Sequence, residues 1–197
     1  MKELPKIAVC GCGSAGTAIA ADLTLMGCNV NLFELESYRK KNVEPILERG
    51  GIVVTGETQS GKTGLAKLNI VTTDAEEAVR GVELIMITVP AYAHEAFFDA
   101  IAPYLKEGQS ILTNTGYFAS LRFAGMLKKE GVFGKIALAD ANIMPYLSHK
   151  IEATQVHITR LKRHITLSAF PSEKTDGVLE LVKRVYPQHE KVPNVLW

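Results

Sequence analysis

A doubly wound α/β sheet, mainly parallel, is the fold this sequence predicts, and three observations predict it. Short apolar runs, among them IAVC, LIMITV and SILT, recur between amphipathic stretches of helical length. A glycine-rich segment, GCGSAG at 11–16, follows the first run at once and opens the first helix. Beyond residue 142 the texture changes to alternating polar and apolar residues, so antiparallel strands are expected near the C-terminal edge of the sheet.

Taken in order, residues 7–10 are apolar, end at glycine and read as a buried strand. Residues 14–26 form a helix with a broad apolar surface (Ala18, Ile19, Ala21, Leu23, Leu25, Met26), closed by Gly27, where positive φ is often required. NVNLFE at 29–34 alternates and is the second strand. Ser37 is placed as the cap of a helix running to Gly50, kinked or divided at Pro45. IVVT at 52–55 and LNIVTT at 68–73 flank a polar, glycine-rich loop and together predict a long hairpin. Asp74 caps a short helix through Val79, and LIMITV at 84–89 is the most apolar strand, stopping at Pro90. Helices at 93–104 and 118–130 alternate with strands at 110–113 and 135–139. Residues 156–159 and 164–168 are the antiparallel addition. A last helix covers 173–186, with Val178, Leu181, Val182 and Val185 facing inward. No linker, repeat or low-complexity tract interrupts this order, and one domain over 1–197 is expected.

Charge and composition exclude several function classes. With 22 basic and 21 acidic residues the net charge is +1, so the basic footprint of a nucleic-acid surface is missing and no such partner is expected. No apolar run approaches the ~18 residues that a membrane span requires, and no signal peptide is read. Cys10, Cys12 and Cys28, an odd set in a chain without an export signal, point to a reducing, cytoplasmic setting. Cys10-x-Cys12 lacks a second Cys/His pair at ligand spacing. It reads as small residues packed in a strand and its turn, and no metal is expected.

Two segments compete as phosphate sites. GETQSGKT at 56–63 fits the G-x-x-x-x-G-K-[ST] pattern of P-loop NTPases at every fixed position. That loop must run directly into a substantial helix, yet only GLAK separates Thr63 from the β-like run LNIV. Lys62 then reads as a solvated loop residue. GCGSAG has its whole context: a strand before it, a helix after it, and a next strand that ends on an acid. Gly11 allows the tight turn and Gly13 lets backbone approach a pyrophosphate at the helix N-terminus. Gly16 lets helix and strand pack closely, and Glu34 can accept from the adenosine ribose hydroxyls. A Rossmann-type fold follows, with NAD as cofactor because Glu34 repels a 2′-phosphate. Arg39, Lys40 and Lys41 lie close enough to keep NADP open. At the carboxyl ends of later strands, Val89, Pro90, Ala91 and Asn114 are candidates for the ribose and nicotinamide, or are ordinary turn residues. His94 is read as a helix-surface histidine, with proton transfer as the alternative role.

The ordered set GCGSAG, Glu34, ITVPAYAHEAF, ILTNTGYFASL and SAFPSEKTDGVLELVKRVYP…VPNVLW resembles the N-terminal half of the opine (octopine/nopaline) dehydrogenases across essentially the whole chain. The glycine-rich excursion at 56–64 belongs to that likeness. The GxGxxG element alone is shared with glycerol-3-phosphate dehydrogenases and ketopantoate reductases. The resemblance implies an oxidoreductase in which an amino acid and a 2-keto acid form an imine that NAD(P)H reduces to a secondary amine dicarboxylate. It implies that Gly11, Cys12, Gly13, Ser14, Ala15 and Gly16 hold the pyrophosphate and Glu34 the ribose. Val89, Pro90, Ala91 and Asn114 would then flank the nicotinamide half. In that family a helical second domain carries the catalytic histidine and much of the substrate site. The segment ending in NVLW stops short of it, so no catalytic residue is assigned and this chain alone is expected to be inactive. A non-catalytic dinucleotide-binding module, a glycerol-3-phosphate dehydrogenase or ketopantoate reductase cofactor domain, and a P-loop ATPase are the competing readings. Expected partners are small molecules, with a homodimer as the assembly to test.

Overall fold

A computed structural model describes residues 3–129, 131 and 134–196, so the expected helix end at 130 and the final tryptophan lie outside the described residues. In chain order the elements are β1 (Ile7–Cys10), α1 (Ser14–Met26), β2 (Val30–Phe33), α2 (Glu44–Arg49), β3 (Ile52–Gly56), β4 (Gly64–Ala66), β5 (Ile70–Thr72), α3 (Ala75–Val79), β6 (Leu84–Ile87), α4 (His94–Ile101), β7 (Ser110–Asn114), α5 (Ala119–Lys129), β8 (Ala137–Ala141), β9 (Tyr146–Glu152), β10 (Gln155–Leu161), β11 (Ile165–Phe170), α6 (Thr175–Lys183) and β12 (His189–Lys191).

The main sheet runs β12-β11-β8-β7-β6-β1-β2-β5. Its strands are parallel from β5 through β8, and β11 then joins β8 antiparallel, as the C-terminal alternation predicts. Because successive side chains in a strand point to opposite faces, each strand feeds two cores. Ile7, Val9, Leu84, Met86 and Leu112 meet α1 and α6 on one face. Ala8, Cys10, Ile85, Ile87 and Ile111 meet α3, α4 and α5 on the other, where Phe98 stacks on Phe123 with ring centroids 4.0 Å apart. Burial on both faces explains why these strands read as unbroken apolar runs.

A second sheet, β4-β3-β10-β9, packs over α1 and corrects two expectations. The predicted hairpin between 52–55 and 68–73 does not form. β3 turns back onto the three residues of β4, and Ile70–Thr72 instead extends the main sheet as a parallel neighbour of β2. GLA is too short to register as a strand in the sequence, and the apolar LNIV is the stronger strand signal beside it. Residues 155–161 likewise leave the main sheet, pairing with β9 antiparallel and with β3 parallel. Helix α1 is therefore held between two sheets, with Ala18, Ile19, Ile52, Val54, Val156 and Ile158 in one apolar cluster.

Smaller differences have local causes. Ser37 caps nothing: a 3₁₀ turn and a π-helical turn cover 36–43 before α2 begins. Pro45 sits in the first turn of α2, directly after that π-helical turn. Asp74 caps α3 as expected, accepting from the Glu77 amide at 3.1 Å. Gly27 closes α1 with φ +107° and donates to the Thr24 carbonyl. β12 carries the polar sequence HEK and has no strand signature of its own. It forms by pairing with β11.

Candidate functional site

Going outward from β1, the chain adds β2 and β5 on one side and β6, β7 and β8 on the other, so the topological switch falls between β1 and β6. The glycine turn leaves β1 at this point. Gly11 has φ +105°, and a Cβ there would lie 2.3 Å from Val89 Cγ1. A Cβ on Gly16 would lie 1.8 Å from the Gly11 carbonyl oxygen, so only glycine lets α1 pack this closely. Gly13 is different. It is exposed, has φ −72° and ψ −176°, and a Cβ there meets nothing within 4 Å. The space that this glycine keeps clear belongs to no part of the chain. The first helical bond of α1 is Thr17 N–H to the Gly13 carbonyl, so the amides of Ser14, Ala15 and Gly16 have no helical acceptor, and no side chain caps them.

Glu34 reaches this turn from the end of β2. Its carboxylate is buried and accepts from the Cys12 amide (3.1 Å), the Leu35 amide (3.0 Å) and Asn42 Nδ2 (2.9 Å). Asn42 Oδ1 in turn accepts from Lys150 Nζ at 3.3 Å, and the same ammonium donates to the Cys12 carbonyl at 2.7 Å. Lys150 comes from β9, whose Lys150 amide donates to Ser14 Oγ and whose Ser148 hydroxyl donates to the Ser14 carbonyl. These groups border a cleft of about 460 Å³ with Gly13, Ser14, Lys41, Asn42 and Lys150 among its lining. Burial pushes the Cys12 thiol far up, so it stays protonated and contributes no thiolate.

The later candidates stand on the same edge. Strand register pairs Cys10 with Ile87 and Ile87 with Thr113, so Gly11, Thr88 and Asn114 follow side by side. Thr88 donates its hydroxyl to the Cys10 carbonyl at 2.8 Å. Val89 is buried against Gly11, Pro90 is exposed and Ala91 is half-buried. Asn114 is fully buried, yet both atoms of its amide lack a hydrogen-bond partner among the described residues. Such an orphaned group costs about 1–3 kcal/mol, which a ligand or water can recover.

Just past Asn114, Thr115, Tyr117 and Phe118 adopt φ between +48° and +63°. A β-branched residue there is strained. Asp140 holds the turn, accepting from the Ser120 amide and hydroxyl, and Gly116 leaves room for that carboxylate, which a Cβ would approach to 2.3 Å. Burial raises the Asp140 pKa against these hydrogen bonds.

His94 is not on the surface. It is fully buried, with Nε2 on the Val89 carbonyl at 3.1 Å and Nδ1 taking Arg122 Nη2 at 3.2 Å. An arginine donor at Nδ1 leaves the proton on Nε2, so His94 braces the loop after β6 as a neutral ring. Burial lowers its pKa.

GETQSGKT turns out to cradle an anion of the protein itself. The amides of Gln59 and Ser60 donate to the buried Asp22 carboxylate of α1 at 2.6 and 3.1 Å, and Tyr146 adds its hydroxyl at 2.6 Å. Lys62 Nζ donates to the Leu25 carbonyl at the end of α1. Thr63 leads into β4, not a helix, so the P-loop setting is missing. The sequence offers no signal for Lys150 or Asp22, which the packing of the second sheet on α1 brings to their partners, nor for Asn42, which meets Glu34 from the irregular π-helical turn after β2.

A doubly wound sheet with an open glycine turn at its switch point and a carboxylate on the adjoining strand defines a dinucleotide-binding α/β domain of the Rossmann type. The chain belongs to the ketopantoate reductase PanE/ApbA family, whose profile matches residues 7–172. It is 31% identical over its full length to an opine dehydrogenase of Arthrobacter sp. (strain 1C), of which it covers 53%. A solved octopine dehydrogenase in complex with NADH and agmatine superposes with TM-score 0.80 at 20% identity, over 98% of this chain and 49% of that one. A yersinopine dehydrogenase with NADP+ bound superposes with TM-score 0.69 at 16% identity, over 98% of this chain and 48% of that one. The chain thus spans about half the length of the opine and octopine dehydrogenases it matches, and the likeness to opine dehydrogenases is borne out. Among the described residues no helix is long and apolar enough to cross a membrane.

Proposed function

We propose that this chain is the NAD(P)H-binding half of an opine-dehydrogenase-like oxidoreductase acting on CH–NH bonds, in one domain over 1–197, cytoplasmic, with an amino acid and a 2-keto acid as substrates. One observation carries the reading: Gly13 keeps open a space beside uncapped amides at the N-terminus of α1, within reach of a buried carboxylate. A dinucleotide fits these groups. The amides of Ser14, Ala15 and Gly16 would receive the diphosphate, with Gly11, Cys12 and Gly13 forming the turn beneath it. Glu34 would exchange one of its present donors for a ribose hydroxyl. The unpaired amide of Asn114 offers an NH2 donor group and a carbonyl acceptor, the complement of a carboxamide, beside Val89, Pro90 and Ala91. Bound NAD(P)H supplies the hydride. The residues of this chain bind and orient the cofactor, and His94 fixes the Val89 carbonyl that borders it.

No group here is assigned as the acid or base, so the chain by itself is expected to bind cofactor with negligible turnover. The carboxylate of Glu34 favours NADH over NADPH. Nucleic acid is not a partner in this reading, and a homodimer is the assembly to look for by native mass. Fluorescence titration with NADH tests the proposal: saturable binding, tighter than for NADPH, is expected. A folded protein that shows no saturation with either cofactor contradicts it.

A further inference from the structure

Lys150 is a cation in an unusual place. Strand β9 carries it across to the N-terminus of α1, where unpaired amides already make the local potential positive. Its ammonium is half-buried and bonds two neutral oxygens, the Cys12 carbonyl at 2.7 Å and Asn42 Oδ1 at 3.3 Å. An ammonium has three donors, so one remains. No carboxylate pairs with it among the described residues. The Glu34 carboxylate is engaged by the Cys12, Leu35 and Asn42 donors, and Glu152 of the same cleft is taken by Arg49 at 2.9 Å. Lys41 adds a second cation to the cleft wall. Burial disfavours the charged form of Lys150, the nearby Glu34 carboxylate favours it, and the charge of Lys41 opposes it. Glu34 lies near this ammonium, linked through Asn42 but not bonded to it, so beside the helix N-terminus one N–H remains for an anion to take.

We propose that Lys150 is a diphosphate-binding residue of the cofactor site, supplied by the second sheet and not by the strand–turn–helix frame that holds the rest of the cofactor. This rests on the dinucleotide reading above and adds to it a role for β9. On binding, the ammonium keeps its hold on the Cys12 carbonyl and directs its free N–H to a phosphate oxygen above Gly13.

The test compares wild type with Lys150→Met and Lys150→Arg, titrated with NADH and with ADP-ribose across a range of salt concentrations. Lys150→Met is expected to weaken both ligands by about tenfold to a hundredfold, the range for loss of one charge-assisted bond. It should also flatten the dependence of affinity on salt, because one cation no longer meets the diphosphate. Lys150→Arg should restore most of both. Unchanged affinity in Lys150→Met overturns the proposal. So does weaker binding with the wild-type salt dependence, since lost bracing of the Cys12 turn alone would produce that result. If the folded wild type binds neither ligand, the dinucleotide reading itself fails, and the role of Lys150 falls with it.

Discussion

Single residues decide what this site can accept and at what pH it holds together. His94 and His189 are both fully buried and neutral, each with one ring nitrogen on a backbone carbonyl. Burial lowers both, His189 to about 4. The unfolded chain therefore binds more protons than the native one from pH ~6.5 down to about 4, and stability falls as pH falls through that window. His189 contributes a loss of at most about 3 kcal/mol, offset in part by Asp140, whose raised pKa acts with the opposite sign. Urea melts at pH 7.5 and pH 5 should show a lower midpoint at pH 5, and a smaller difference in His189→Gln. Equal midpoints at the two pH values count against the buried neutral histidines. Much of this scale was legible. The turn and packing roles assigned to Gly11 and Gly16 from spacing match a positive φ and a close approach, and at Gly13 the structure shows an open space. His94 was misread because its amphipathic position does not reveal that α5 covers it with Arg122 and Phe123.

Among elements, the second sheet is what the sequence hid. Its strands are short or bulged, and their partners lie far apart in the chain, as Val156 and Val54 do. Strands β1, β6 and β7 were plain because they are buried on both faces, and Asp74 was plain because capping is local. The element-scale consequence is that residues 57–63 are a structural tie. Asp22 of α1 receives Gln59 N–H, Ser60 N–H and the Tyr146 hydroxyl, joining helix, loop and β9 at one buried carboxylate. Asp22→Asn turns an acceptor into a donor facing those groups, at an expected cost of about 2–4 kcal/mol. Lys62→Ala, by contrast, removes one exposed bond to the Leu25 carbonyl and should leave cofactor binding intact. Thermal melts of the two variants, with an NADH titration of the second, check both expectations. Loss of nucleotide binding in Lys62→Ala would restore the P-loop reading.

At the scale of the whole molecule, every candidate for the cofactor lies on one edge of the main sheet, at or beside its switch point. Glu34 and the glycine turn stand on one side, with Val89 and Asn114 on the other. The second sheet roofs α1 and brings Lys150 over the turn. On the proposed function, the space at Gly13 is kept for a dinucleotide. Its φ and ψ are open to any residue and a Cβ there touches nothing, so Gly13→Val should fold like wild type. The decisive measurement is an NADH fluorescence titration of wild type and Gly13→Val at matched thermal stability. Saturable binding in wild type and none in the variant is expected, whereas equal binding by both would show that the cofactor does not enter over Gly13.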